Sequence, residues 1–60
     1  MKQDITIIIL TFNEELHIRR AIESAFRIAN EVIVVDSYST DQTINIALEL
    51  NARVLQHPFV

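Results

Sequence analysis

The stretch Glu31-Val32-Ile33-Val34-Val35-Asp36-Ser37-Tyr38-Ser39-Thr40-Asp41 decides the fold. Val32 to Val35 are all β-branched and no polar residue alternates with them. This is the pattern of a strand buried on both faces of a parallel sheet. The run ends at a carboxylate, Asp36, and gives way to a polar turn. Ser39 with Gln42 three residues later fits a capping box, so a helix is expected to start there. Ile44, Ala47 and Leu48 supply the apolar stripe of that helix. Asn51 can then take the left-handed position usually given to glycine, and Ala52 to Gln56 reads as a third, shorter strand.

Upstream the same alternation is already present. Ile5-Thr6-Ile7-Ile8-Ile9-Leu10 is a second nearly continuous apolar run, expected to have neighbours on both sides. Thr11-Phe12-Asn13 breaks it, and Asn13 is a good N-cap ahead of Glu14 and Glu15, whose charges suit a helix N-terminus. Ile18, Ala21, Ile22, Ala25 and Ala29 recur at spacings of three and four, and Glu15 with Arg19 and Glu23 with Arg27 are spaced as ion pairs. Strand, helix, strand, helix, strand with short connections predicts a βαβαβ α/β unit. Its crossovers are right-handed and its parallel strands lie in the order 3-2-1.

Composition narrows the function classes. Half of the 60 residues are apolar, which is globular, yet a chain this short is at most one domain and more naturally a piece of one. Pro58 bars further central-strand pairing after Gln56. The absence of cysteine excludes a disulfide scaffold, a thiolate metal site and a cysteine nucleophile. No apolar run approaches the roughly 20 residues of a membrane span, and Met1 to Asp4 leads into too short a run for a signal peptide. A cytoplasmic chain is expected. The formal charge is −3 and Lys2, Arg19, Arg20, Arg27 and Arg53 are scattered, so nucleic acid is not an expected partner.

Ligands of open α/β sheets bind beyond the carboxyl ends of the strands. That rule selects Thr11 to Glu14 and Asp36 to Asp41. Asp36 stands where a carboxylate can accept hydrogen bonds from a ribose hydroxyl or a base N–H. The sequence has no glycine, so it contains neither a dinucleotide fingerprint nor a P-loop, which disfavours a Rossmann-type dehydrogenase. Neither loop carries Lys or Arg. A nucleotide held here would leave its pyrophosphate uncompensated, and a divalent cation bound elsewhere is the natural remedy. Structural roles compete at each position. Ser39, Thr40, Asp41 and Asn13 read first as caps, Glu14 as a complement to the helix dipole, and Phe12 and Tyr38 as core aromatics rather than base-stacking ones. His57 has no nearby second ligand in sequence and is not expected to bind metal.

At these two loops the sequence resembles the family 2 glycosyltransferases of the GT-A fold. Thr11-Phe12-Asn13-Glu14-Glu15 after an Ile-rich strand is similar to one family segment, and Val34-Val35-Asp36-Ser37-Tyr38-Ser39-Thr40-Asp41 to another. The resemblance covers essentially the whole chain and departs at Ser37, commonly Asp, and Tyr38, commonly Gly. It implies that residues 1–60 are the N-terminal, nucleotide-binding part of an incomplete GT-A (Rossmann-like) domain. Thr11 and Phe12 would line the base pocket, Glu14 would lie near the ribose, and Asp36 would contact the base. It further implies a nucleotide diphosphate sugar, chiefly a UDP-sugar, as donor and a glycan or lipid-linked acceptor. Mg or Mn would be held by an Asp-x-Asp motif outside this chain, and the catalytic base lies further on, so the chain alone is expected to be inactive. The acceptor hydroxyl would attack in line at the anomeric carbon, with inversion. The Asp-Ser-aromatic-Ser-Thr-Asp variant and the ending Gln56-His57-Pro58-Phe59 are similar to bacterial transferases that build lipopolysaccharide core, which places the parent in the cytoplasm at the inner membrane. A non-catalytic nucleotide-binding or interaction module is the alternative. Truncation would also leave the edge of Ile5 to Leu10 unpaired, so self-association is expected.

Overall fold

The computed structural model describes residues 3–58; Met1, Lys2, Phe59 and Val60 lie outside the described residues, and with them the last residue of the Gln56-His57-Pro58-Phe59 ending. The elements run β1 (Gln3–Thr11), α1 (Ile18–Phe26), β2 (Ala29–Asp36), α2 (Thr43–Glu49) and β3 (Arg53–Gln56). All pairing is parallel, and β2 lies between β1 and β3, which is the expected 3-2-1 order. The register aligns Ile7 with Val32, Ile9 with Val34 and Thr11 with Asp36, then Val34 with Val54 and Asp36 with Gln56. It shifts once in β1, between Gln3 and Thr6. There the Asn30 side chain accepts the Ile5 N–H at 3.1 Å and donates to Asp4.

Two right-handed crossovers that advance in one direction across a sheet place both helices on the same face. Here α1 packs on β2, α2 on β3, and the helices touch each other. An Arg19–Glu49 ion pair at 3.3 Å joins them on the outside. The core is the layer between: Ile18, Ile22 and Ala25 of α1, Ala47 of α2 and Ala52 after it, and Val32 and Val34 of β2, with Ile7, Ile9, Phe26, Ile46, Leu50 and Val54 packed around them. The opposite face of the sheet is uncovered. Ile8, Leu10 and Leu55 are exposed there, and Ile33 and Val35, their register partners, are only half-buried. The apolar runs predict strands covered on both faces. Among the described residues only β2 is paired on both sides, which leaves β1 and β3 at the edges, and no element lies across the second face.

Local boundaries depart from the sequence in informative ways. Helix α1 begins at Ile18, not at Asn13, whose backbone is left-handed with φ 52°. A turn fills the gap, the Glu14 carbonyl accepting N–H bonds from His17 and Ile18 at 2.9 and 2.8 Å. Ala29, expected on the helix stripe, is the first residue of β2. Arg19 pairs with Glu49 rather than Glu15, and no Glu23–Arg27 ion pair forms among the described residues. Ser39 caps no helix, because α2 starts at Thr43. Asn51 does close α2 in the left-handed conformation, φ 68°, as expected.

Candidate functional site: two interlocked loops at the carboxyl end of the sheet

The site grows from the end of the helix-facing row of the sheet. Thr11, Asp36 and Gln56 are register partners and continue the row occupied one step earlier by Ile9, Val34 and Val54. A carboxylate in such a row is desolvated, and Asp36 is 0% exposed. A buried carboxylate is tolerated only when hydrogen bonds replace its water. Its Oδ1 accepts the Thr11 hydroxyl at 2.6 Å and the Ser39 hydroxyl, and its Oδ2 accepts the Ser39 N–H at 2.7 Å. Burial alone pushes its pKa up. The bonds from the Ser39 hydroxyl, Thr11, the Ser39 N–H and Gln56 outweigh burial and hold the group below the ordinary carboxylate range.

From this hub the two loops bind each other in reciprocal pairs. The Asn13 N–H donates to the Ser39 hydroxyl at 2.7 Å, and the Asn13 side-chain carbonyl accepts the Thr40 N–H at 2.8 Å. The Glu15 N–H donates to Asp41 Oδ2 at 3.2 Å, and Glu15 Oε1 accepts the Gln42 N–H at 2.9 Å. The Glu14 N–H donates to the Thr43 hydroxyl at 2.8 Å, and that hydroxyl donates in turn to Asp41. Asp41 Oδ1 also accepts the Thr43 N–H at 2.9 Å. Each loop thus satisfies the orphan N–H groups ahead of the other's helix, a task that helices ordinarily assign to a local cap. Burial acts to raise the Asp41 pKa, and its bonds from the Thr43 hydroxyl and N–H and the Glu15 N–H lower it on balance.

The four residues singled out from the sequence are brought to this end of the sheet but divide into two kinds. Thr11 and Asp36 are buried and bonded to one another; no surface of the Asp36 carboxylate meets solvent. Phe12 and Glu14 are accessible. Glu14, with Ile9, Leu10, Thr11, His17, Ile18 and Ala21, lines a cleft of about 200 Å³ between the end of β1 and the start of α1, and its carboxylate stands 3.7 Å from His17 Nδ1. Sequence reading passed over Thr43, which is fully buried at the junction of the loops, and read Glu15 as a helix N-terminal charge and an ion-pair partner, not as an acceptor for the second loop. The signal available for Thr43 was its place two residues after Asp41, where its N–H and hydroxyl can both donate to that carboxylate.

Among the described residues no group of three or more His, Cys, Asp or Glu side chains is placed to hold a metal ion. The carboxylates of Asp36, Asp41 and Glu15 are engaged by the N–H and O–H groups just described.

Residues 6–59 match the family described as Glycosyl transferase family 2. The chain belongs to this family. Its relatives include an uncharacterized glycosyltransferase of Rickettsia typhi, 50% identical over 56 residues, which are 93% of this chain and 19% of the relative. A glycosyltransferase of Rickettsia bellii is 48% identical over the whole chain and 20% of its own length. Among solved structures, glucosyl-3-phosphoglycerate synthase from Mycobacterium tuberculosis, in complex with Mn2+, UDP and glucosyl-3-phosphoglycerate, superposes with a TM-score of 0.75 at 34% identity, over 85% of this chain and 20% of that one. The fold is therefore the Rossmann-like α/β fold of the GT-A glycosyltransferases, and this family 2 chain spans about a fifth of the length of the curated relatives it matches. No helix among the described residues is long and apolar enough to cross a membrane.

Proposed function

We propose that this family 2 chain is the nucleotide-recognising portion of a GT-A domain whose parent transfers a sugar from a nucleotide diphosphate sugar, a UDP-sugar in the first instance, to an acceptor hydroxyl. The observation that carries this reading is the interlocking of the two loops at the carboxyl end of the sheet, where such folds receive nucleotides. Phe12 and Glu14 supply the accessible contacts to base and ribose. Thr11 and Asp36 belong to the site as the buried pair that fixes the loops. In the transfer, the acceptor oxygen bonds to the anomeric carbon as the bond to the diphosphate breaks. The leaving electron pair goes to the diphosphate and the acceptor proton to a base.

The loop residues 11–17 and 36–43 include Glu14, Glu15, Asp36 and Asp41 and no Lys or Arg, so they repel a diphosphate. That charge pattern supports a divalent cation, Mg or Mn, held by residues outside this chain. The Ser37-Tyr38-Ser39 variant supports a bacterial surface glycan, lipopolysaccharide core among them, as the product, with a glycan or lipid-linked acceptor and a cytoplasmic location at the inner membrane.

The test is a UDP titration of the chain followed by amide NMR. Shifts concentrated at residues 11–15 and 36–41 are expected; no shifts there would end the reading. The alternative, a nucleotide-binding module without activity, is kept for the isolated chain because no metal-holding cluster occurs among the described residues. Incubation with UDP-sugars, Mn2+ and acceptor is expected to yield no transfer, and turnover by the chain itself would refute that.

A further inference from the structure

We propose that Tyr38 is a ligand contact, its ring stacking with that of Phe12 on the base of the bound nucleotide. This inference rests on the nucleotide-site reading above and adds a residue to it.

Among the described residues three have positive φ: Asn13, Tyr38 and Asn51. Asparagine tolerates the left-handed region, whereas a bulky aromatic there, at φ 57°, is a genuine outlier. The cause is the Asp36 hub. With the Ser39 N–H and hydroxyl both drawn back onto the carboxylate three residues earlier, the chain must reverse across Ser37 and Tyr38, a turn that glycine would make without a Cβ clash. Tyrosine gains nothing locally in return. Its side chain is 54% exposed, and its hydroxyl has no hydrogen-bond partner among the described residues. Backbone strain of this kind, uncompensated by packing, concentrates at ligand sites.

Its position supplies the ligand chemistry. Thr11 and Asp36 are register partners, and the Ser37 N–H bonds to the Thr11 carbonyl at 2.9 Å, so the strands leave the sheet together. Phe12 and Tyr38 therefore stand one and two residues beyond a shared line, each on one loop. Phe12 is 52% exposed. Neither aromatic is core, which removes the structural alternative the sequence left open. Two exposed rings at the mouth of a glycine-free, cation-poor pair of loops offer π-faces rather than charge, and the matching ligand surface is a planar base.

The chain has one tyrosine and no tryptophan, so tyrosine emission reports Tyr38 alone. Titration with UDP, corrected for absorption with free tyrosinamide, is expected to quench that emission saturably, while pyrophosphate, which has no base, leaves it unchanged. Tyr38→Phe is expected to retain UDP affinity. Tyr38→Gly is expected to lose about tenfold, the scale of one base-aromatic stack, while raising the thermal midpoint by relieving the backbone. A purely structural Tyr38 would move the midpoint and leave the affinity alone. If UDP shifts the amides of Asn13 and Ser39 but spares tyrosine emission, and Tyr38→Gly binds like the parent, the inference falls and the nucleotide site stands. If no amide responds, both fall.

Discussion

The Thr11 hydroxyl and the Asp36 carboxylate meet at 2.6 Å across the β1–β2 pair, with the carboxylate wholly out of solvent. This contact ties the first loop to the second at the point where both leave the sheet. Its loss has consequences that separate a positioning role from a surface one.

Thr11→Val removes the donor and keeps the shape, leaving the buried carboxylate one bond short. Asp36→Asn presents an amide where two hydroxyls and an N–H donate. Leaving a buried polar group unsatisfied costs about 1–3 kcal/mol, and in a domain this small each kcal/mol lowers the melting temperature by about 4–8 °C. Thermal circular dichroism of both variants is expected to show drops on this scale. The double variant should lose less than the sum, because the two changes remove one interaction. Strict additivity would mean that the pair is not coupled.

The two loop aspartates make stability fall in acid. Asp36 and Asp41 both have folded pKa values below their ordinary ones. Depressed carboxylates favour the folded state above the unfolded pKa, about 3.9, and lose that contribution as pH falls through the lower folded value. The melting temperature is therefore expected to hold from pH 6 to about 4 and to decline below that. Asp36→Asn should flatten the decline. A profile of equal slope in variant and parent would show that Asp36 is not its source.

Thr43→Val tests the junction the sequence did not flag. The Glu14 N–H loses its acceptor at 2.8 Å and Asp41 loses a donor, while the β-branched shape is kept. Hydrogen exchange at the Glu14 amide is expected to accelerate about tenfold or more, the equivalent of 1.4 kcal/mol, with the amides of β2 little affected. Unchanged exchange at Glu14 would show that the first loop is ordered without α2.

Asn51 tests the close of α2. An alanine in the left-handed region costs about 1 kcal/mol more than a residue suited to it. Asn51→Ala is expected to lower urea stability by about that amount, and Asn51→Gly not to lower it. Equal stabilities for all three would remove the cap argument.

The edge of β1 predicts self-association. Ile8 and Leu10 are 61% and 67% exposed, and from Ile5 to Thr11 the strand carries no charge and no proline to guard it. Antiparallel pairing of two such edges about Ile8 would set no like charges opposite one another. Sedimentation velocity is expected to find species larger than the monomer. Ile8→Lys, on the uncovered face and outside the core, should shift them toward monomer; a monodisperse parent monomer would overturn the expectation.

Much of the architecture was legible because it depends on local chemistry. The β-branched runs ending at Leu10 and Asp36, the three- and four-residue spacing from Ile18 to Ala25, and the left-handed Asn51 each report on their own segment. The places where reading failed are those where a partner distant in sequence competed for the same group. Asn13 would cap a helix if left alone; Thr40, 27 residues away, takes its carbonyl. Ser39 would open a capping box; Asp36 takes both its N–H and its hydroxyl. Glu15 would pair with Arg19; Gln42 takes its carboxylate.

By itself, then, the sequence determined the βαβαβ order, the parallel sheet and the two loops that matter, because strand and helix periodicities are written in neighbouring side chains. Only the tertiary structure decided what the loop residues do. It placed Thr11 and Asp36 inside as a mutual clamp and left Phe12, Glu14 and Tyr38 accessible. Whether a polar group is spent on the protein or left for a ligand depends on which donors reach it in space, and donors 25 or more residues away leave no local mark in the chain.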